Sequence, residues 1–137
     1  MILGFTGTSR GMTQKQLATV RYLFNELQLH VLHHGDCIGA DAQAHRIAMD
    51  LQARIVIHPP DDPKKRAFCI GADEVKPTFP YLVRNHHIVD HSRDGIVAVP
   101  FRESEVRSGT WATIRYARKA KLKIWLVWPD GTFRQDS

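Results

Sequence analysis

The sequence predicts an α/β fold: a Rossmann-like three-layer sandwich whose mostly parallel sheet of about five strands carries helices on both faces. Strand-type and helix-type patterns alternate along the whole chain of 137 residues, which is typical of parallel β-α-β units. Loops rich in small residues follow three of the strand-type runs, and such sheets bind ligands at the carboxyl ends of their strands. The length suits one domain, residues 1–137, and we find no internal repeat.

The first half of the chain predicts three strands and two helices. The strands are the short runs 2–6, 29–33 and 54–58. Thr13, with Gln16 three residues later, is typical of a capping box and predicts the start of the first helix. Apolar stripes at helical spacing define the two helices, one through Leu17, Val20, Phe24 and Leu27 and the other through Ala44, Ile47, Ala48 and Leu51.

The second half of the chain repeats the alternation after an irregular connection. Residues 59–80 are rich in proline and charge, and their weak periodicity predicts little regular structure. The remaining elements are predicted as helices at about 81–91 and 110–120 and strands at 95–99 and 123–128. The polar tail after Pro129 predicts a loose end of the chain.

Composition limits the class of partner. The formal net charge of +5 and the pI near 9.5 favour anionic partners. No aromatic residues alternate with the basic ones as a single-strand platform would need, so nucleic acid is the less favoured partner. No apolar run reaches the length of a membrane span and no leader pattern is seen, so we expect no membrane partner and a cytoplasmic location. Cys37 and Cys69 lack CxxC spacing and predict no disulfide framework.

Three loops have the composition of phosphate cradles, in which glycine lets the backbone approach an anion and free N–H groups bind it. Three such loops in one domain predict a nucleotide-like ligand. Asp41 lies at the mouth of a helix, where capping the loop and holding a ribose hydroxyl are equally compatible with its position. The cradle residues are Gly7, Thr8, Ser9 and Arg10 in the first loop, Gly35, Asp36, Gly39, Ala40 and Asp41 in the second, and Ser108, Gly109 and Thr110 in the third.

The spacing of the histidines and cysteines indicates neither a metal site nor an activated nucleophile. His87 and His91 are four residues apart and would place two imidazoles on one helical face, but no third zinc ligand lies at a matching spacing. We therefore predict surface histidines, no metal and no cofactor. No sequence feature marks Cys37 as an activated nucleophile, and the catalytic residues stay unassigned.

Several of these motifs resemble one known superfamily. The run Gly39-Ala40-Asp41-x-x-Ala44-His45 looks like the Gly-x-Asp-x-x-Ala-His motif of the DNA-processing protein A family. Arg84-Asn85, followed by Ser92, Asp94 and Ser108-Gly109-Thr110, is similar to the pattern of the lysine-decarboxylase-like (LOG) phosphoribohydrolases. Together they resemble the SLOG superfamily, most closely its YspA/YpsA-related branch, from residue 2 to about 128.

This resemblance implies a Rossmann-like fold and a pocket for a nucleotide or a nucleotide derivative such as ADP-ribose. It also implies that Arg84 and Asn85 face the phosphate and sugar of the ligand, and it suggests a homodimer. We therefore expect a nucleotide-binding or sensing module.

The sequence departs from the LOG pattern at one place that matters for catalysis. The LOG enzymes follow Gly-Thr with Leu-Glu-Glu, whereas Trp111-Ala112-Thr113 follows here and supplies no carboxylate. Cleavage of an N-glycosidic bond needs a carboxylate near that position, and Glu103 and Glu105 are the candidates to replace it. A nucleoside-monophosphate N-glycosidase (phosphoribohydrolase) or related nucleotide hydrolase is therefore the first alternative function. Single-stranded DNA binding is the second.

Overall fold

The computed structural model of the protein describes residues 1–103 and 108–136. Strands and helices alternate as predicted within these ranges. The elements are β1 (Ile2–Gly7), α1 (Gln14–Glu26), β2 (Val31–His34), α2 (Ala40–Asp50), β3 (Arg54–Ile57), β4 (Glu74–Val75), α3 (Tyr81–His91), β5 (Gly95–Val99), α4 (Gly109–Lys119), β6 (Ile124–Val127) and β7 (Phe133–Asp136).

The strands form one sheet in the order β4-β3-β2-β1-β5-β6-β7, and every neighbouring pair is parallel except β6 and β7. The chain moves outward from β1 to β2 and β3, then returns to pair β5 with the other side of β1. This reversal between β1 and β5 opens a crevice at their carboxyl ends, the usual ligand position in such sheets. The predicted α/β fold with a mostly parallel sheet is confirmed.

Both faces of the sheet are covered by apolar packing. On strand β5, Val97 and Val99 join the core beneath α1 and α2, while Ile96 and Ala98 join the core beneath α3 and α4. A central parallel strand is buried on both faces, which explains why its sequence is an uninterrupted apolar run. The two cores hold the sheet between two helix layers, as the three-layer prediction requires.

The two edge strands were not predicted. Strand β4 has two residues in the connection after β3, and β7 lies in the tail for which a loose end was expected. The turn before β7 is closed by the Gly131 N–H, which donates to the Trp128 carbonyl, and by the Trp128 N–H, which donates to the Thr132 carbonyl, both at 2.8 Å. Pro129-Asp130-Gly131 is a turn sequence, so the prediction of a loose tail was wrong because the polar side chains of β7 hide an edge strand.

The predicted capping box at the start of α1 is confirmed, and its Gln16 also holds the ends of two strands. The Thr13 side chain accepts from the Gln16 N–H and the Gln16 side chain accepts from the Thr13 N–H, both at 3.0 Å. Gln16 is buried, and its Nε2 donates to the carbonyls of Pro100 at 3.1 Å and Val127 at 3.2 Å. One glutamine therefore ties the ends of β5 and β6 to the start of α1.

Candidate functional site

A pocket of about 530 Å³ lies in the crevice at the carboxyl ends of β1 and β5. It is lined by the loop after β1, the starts of α3 and α4, the segment after β5 and part of the long connection between β3 and α3 (residues 59–80). The structure brings most of the predicted site residues to this pocket, namely Gly7, Thr8, Ser9, Arg10, Asp41, Arg84, Asn85, Ser108, Gly109 and Thr110. The remaining predicted residues, Gly35, Asp36, Gly39 and Ala40, lie behind its lining.

Gly39 and Ala40 join the second loop to the first. Gly39 has φ +98°, and a Cβ there would collide with the carbonyl groups of Thr8 and Ser9. The Ala40 N–H donates to the Thr8 carbonyl at 3.0 Å. The first amide of α2 is therefore occupied by the protein itself, and the second cradle serves to pack the loops together.

Asp36 anchors the long connection. It is fully buried, and its carboxylate accepts from Arg66 Nε at 2.8 Å and from the Cys69 N–H at 2.9 Å. Its carbonyl accepts from the Ala67 N–H at 2.8 Å. Both carboxylate oxygens are directed at the connection, so Asp36 contributes to the pocket by placing the preceding Lys64 and Lys65 at its edge.

Asp41 holds its own loop and also lines the pocket. Its Oδ2 accepts from the N–H groups of Gly35 at 3.1 Å and Cys37 at 3.2 Å. Burial raises the pKa of Asp41 to about 6, although the nearby Arg84 guanidinium acts in the opposite direction. Asp41 therefore closes the loop before α2 but does not cap the helix, whose N-cap is Gly39, and the residue lines the pocket.

Arg84 is a buried cation held by many acceptors. It is 2% exposed and donates to Asn85 Oδ1 at 2.9 Å, to the His58 carbonyl at 3.1 Å and to the Gly35 carbonyl. A Cβ on Gly35 would collide with this guanidinium, which explains the glycine. Because its donors are largely engaged, Arg84 supplies the pocket mainly with fixed positive charge.

Asn85 has an unpaired donor in the pocket. The side chain is 5% exposed and its Oδ1 accepts from Arg84; its Nδ2 lies near the Tyr81 hydroxyl but makes no hydrogen bond of normal geometry to any described residue. A buried N–H₂ group without an acceptor costs about 1–3 kcal/mol, so such groups are rare in folded proteins. An acceptor atom brought by a ligand would complete this group.

The start of α4 is open to the same pocket. The Ser108 side chain accepts from the Trp111 N–H at 3.3 Å, and its carbonyl accepts from the Ala112 N–H at 2.9 Å. The amides of Gly109 and Thr110 come before these and have no intrahelical acceptor, so the positive end of the helix dipole faces the pocket. The basic side chains of the lining reinforce this field; they are Arg10, Lys64, Lys65, Arg84 and Arg102.

Tyr81, Phe101 and Arg102 are among the lining residues that the sequence analysis missed. Tyr81 begins α3, and its hydroxyl lies so close to Gly109 that a Cβ there would collide with it. Phe101 and Arg102 directly follow the end of β5, which is the signal that could have found them.

Other predicted candidates lie elsewhere. Trp111, which follows Gly-Thr where the LOG enzymes have Leu-Glu-Glu, is 3% exposed and packs against Trp128 in the core. Glu103 is exposed and absent from the pocket lining, and Glu105 lies outside the described residues. Burial raises the pKa of the Cys37 thiol to about 11, so at neutral pH it is a protonated, weak nucleophile.

The α3 histidines predicted at the surface, His87 and His91, are half-buried and exposed, respectively, whereas the histidines of β2, α2 and the end of β3 are buried. His45 Nε2 donates to the Ile70 carbonyl at 2.8 Å, so its Nδ1 accepts from His34 Nε2 at 2.8 Å, and His34 Nδ1 accepts from the Asp36 N–H at 2.9 Å. On the other face of the sheet, ring nitrogens of His33 and His58 are 2.9 Å apart. The exposed His91 lies beside this pair. The centre of its ring is 5.5 Å from that of His33 and 5.2 Å from that of His58. Within residues 1–103 and 108–136, no group of three or more His, Cys, Asp and Glu side chains could hold a metal ion.

Comparison with known proteins places the fold. DNA processing protein A (DprA) from Streptococcus pneumoniae is similar, with a TM-score of 0.68 and 19% identity over 90% of this chain and 49% of that one. TM1055, a structural genomics target, has a TM-score of 0.63 and 13% identity over 89% of this chain and 71% of that one. These likenesses confirm the predicted Rossmann-like fold, and the chain spans about half of the DprA chain.

No protein-family model and no curated protein matches the chain. No helix in the described part of the chain is long and apolar enough to cross a membrane.

Proposed function

We propose that the pocket binds a nucleotide or a nucleotide-derived ligand, such as a nucleoside phosphate or an ADP-ribose-like molecule, as a binding or sensing module. The observation that carries the proposal is the unpaired Asn85 Nδ2, buried in the lining of a pocket into which the start of α4 also opens. A buried donor and a helix start facing one cavity favour an anionic ligand. The volume of about 530 Å³ is within the range of small-molecule sites.

In this proposal the phosphate lies at the start of α4, where the amides of Gly109 and Thr110 bind it. The side chains of Arg10 and Lys65 neutralise its charge from the opposite side of the pocket. Asp41 accepts from a ribose hydroxyl, which its position in the lining allows. In this proposal residues 1–137 form one domain, two copies of the chain form a homodimer, and the protein is located in the cytoplasm.

The substitution Asn85→Asp tests the proposal. Aspartate keeps the oxygen that accepts from Arg84 Nε, so the fold should persist, but it replaces the free donor with a negative charge facing the phosphate. We expect calorimetry to show at least about tenfold weaker binding of AMP or ADP-ribose. Asn25→Asp is the control, since Asn25 is exposed on α1 and gives the same charge change. Equal affinities of wild type and Asn85→Asp for every nucleotide tested would overturn the proposal.

The enzyme alternative depends on Asp41. A pKa of about 6 is typical of a carboxyl that exchanges protons near neutral pH, and Asp41 carries the only carboxylate among the described residues that line the pocket. Glycosidic cleavage usually employs two carboxyl groups, which favours binding over hydrolysis here. Release of free base from AMP, measured by chromatography and abolished in Asp41→Asn, would instead establish a nucleotide N-glycosidase.

The DNA alternative depends on the basic lining. Arg10, Lys64, Lys65 and Arg102 would contact the backbone of a single strand, and binding would then weaken steeply with salt. Fluorescence anisotropy with a labelled oligonucleotide at several salt concentrations separates this function from mononucleotide binding. An oligonucleotide that binds more tightly than AMP at all of them would favour it.

A further inference from the structure

Phe101 is an aromatic side chain exposed at the pocket. It lines the cavity together with Arg10 and Arg102, and 40% of the residue is accessible to solvent. The surrounding lining is mainly polar and basic, so burial in an apolar core does not explain this position. Because Phe101 lies in the pocket lining, its exposed ring is available to a flat, apolar group of a ligand.

The backbone on both sides of Phe101 is fixed. The Pro100 carbonyl accepts from Gln16 Nε2 at 3.1 Å, and the Arg102 carbonyl accepts from Trp111 Nε1 at 3.0 Å. Gln16 and Trp111 are themselves buried, so both anchors belong to the core. Phe101 is therefore held in place although its ring is exposed.

Two guanidinium groups accompany the ring. The Cζ of Arg10 lies 4.4 Å from the centre of the Phe101 ring, and the Cζ of Arg102 lies 5.0 Å from it. Planar guanidinium groups and aromatic rings both stack on nucleobases, and a base–aromatic stack contributes about 1–3 kcal/mol. Both guanidinium groups lie over the ring and both arginines are exposed, so a base that takes the place of one of them gains a ring surface next to the proposed phosphate position.

We infer that Phe101 is the platform on which the nucleobase of the ligand stacks, so that the pocket selects nucleotides over sugar phosphates. This inference rests on the proposed function, and it identifies the nucleobase as the part of the ligand that determines specificity. The phosphate and sugar bind deeper, toward Asn85 and the start of α4, and the base lies over the Phe101 ring at the mouth. Inorganic phosphate and ribose 5-phosphate use only the deeper part.

Calorimetry with AMP and ribose 5-phosphate tests this division. Wild type should bind AMP about tenfold or more tightly than ribose 5-phosphate. Phe101→Ala should weaken AMP binding by about tenfold and leave ribose 5-phosphate binding within about twofold, whereas Phe101→Trp should retain the preference for AMP. Phe133→Ala is the matched control, because Phe133 is 42% exposed on β7 outside the pocket, and both affinities should stay unchanged.

The outcomes separate the two proposals. If wild type binds neither AMP nor ribose 5-phosphate, the proposed function fails and the platform with it. If both bind equally well and Phe101→Ala changes neither affinity, the platform is overturned and the phosphate site stands. A Phe101→Ala protein that loses both ligands equally would also overturn the platform, since the side chain would then only maintain the pocket.

Discussion

Helices α2 and α4 both begin at the carboxyl edge of the parallel strands, each after a strand and a glycine-containing loop, yet the two starts differ. At the α2 start (Gly39–Asp41), the first amide donates to the Thr8 carbonyl and an acidic residue occupies the first turn. At the α4 start (Ser108–Thr110), a neutral serine caps the helix and basic side chains of the pocket lie nearby. We call the α2 start closed, because its first amide donates to the Thr8 carbonyl, and the α4 start open, because its first amide has no acceptor among the described residues.

The strongest test of the closed start is the substitution Gly39→Val. Valine would adopt φ near +98° and its Cβ would collide with two backbone carbonyl groups, so we expect a loss of about 5 kcal/mol or more, or no folding at all. Gly11→Val is the control, because Gly11 has φ +89° but a Cβ there would be 3.6 Å from its nearest neighbour. Backbone strain alone should cost about 2 kcal/mol in urea unfolding. Equal losses in the two variants would show that the α2 start is loosely packed.

Acid should lower the free energy of unfolding, in part through His34, which is bonded to His45 of α2. His34 already accepts from the Asp36 N–H and donates to His45, so a second proton has no acceptor, and burial holds the pKa of His34 well below its usual value. Burial also lowers the pKa of His33 to about 4 and that of His58 to about 3. Below pH 6.5 the unfolded chain therefore binds more protons than the folded one, and stability falls as the pH falls.

Asp41 acts with the opposite sign, because its pKa of about 6 lies above the value of an unfolded aspartate and its protonation stabilises the fold. Because three imidazoles each lose about 2 kcal/mol and one carboxyl returns about 1.4 kcal/mol, we expect a net loss of about 4–5 kcal/mol between pH 7.5 and pH 5.0 in urea unfolding. The pH dependence should be smaller in His58→Gln, which removes one of the buried imidazoles. A free energy of unfolding that is equal at the two pH values would contradict this balance.

The comparison also shows what the sequence could predict. The order of elements and the edge at which the loops meet follow from apolar periodicity and from strand–loop–helix order, and Gln16 was correctly placed in a capping box. Which glycine loop closes on itself depends on contacts between residues far apart in the chain, such as Thr8 with Ala40 and Asp36 with Arg66. No local pattern encodes these contacts, and the same holds for Phe101, which is placed by Gln16 and Trp111 from two different helices.

The open start can be obstructed without unfolding the protein. In Gly109→Ala the new methyl group would collide with the hydroxyl end of Tyr81, a side chain that can move, and alanine favours the helix. We expect less than about 1 kcal/mol of lost stability but about tenfold weaker AMP binding, because the displaced ring moves against the proposed phosphate position. In a Tyr81→Ala background the same change should have little effect on affinity. An equal loss of affinity in both backgrounds would assign the effect to the backbone of α4 instead.

The smallest expected effect comes from Ser108→Ala, which separates capping of α4 from ligand binding. The serine oxygen accepts from the Trp111 N–H at 3.3 Å, and loss of such a cap costs about 1 kcal/mol of stability. The amides of Gly109 and Thr110 remain in place, so affinity for AMP should change by less than about threefold if these amides bind the phosphate. Thr13→Ala is the matched control, because Thr13 caps α1 away from the pocket lining. A Ser108→Ala protein of normal stability that binds AMP tenfold more weakly would show that the hydroxyl itself contacts the ligand, and the open start would then depend on a side chain as much as on the helix.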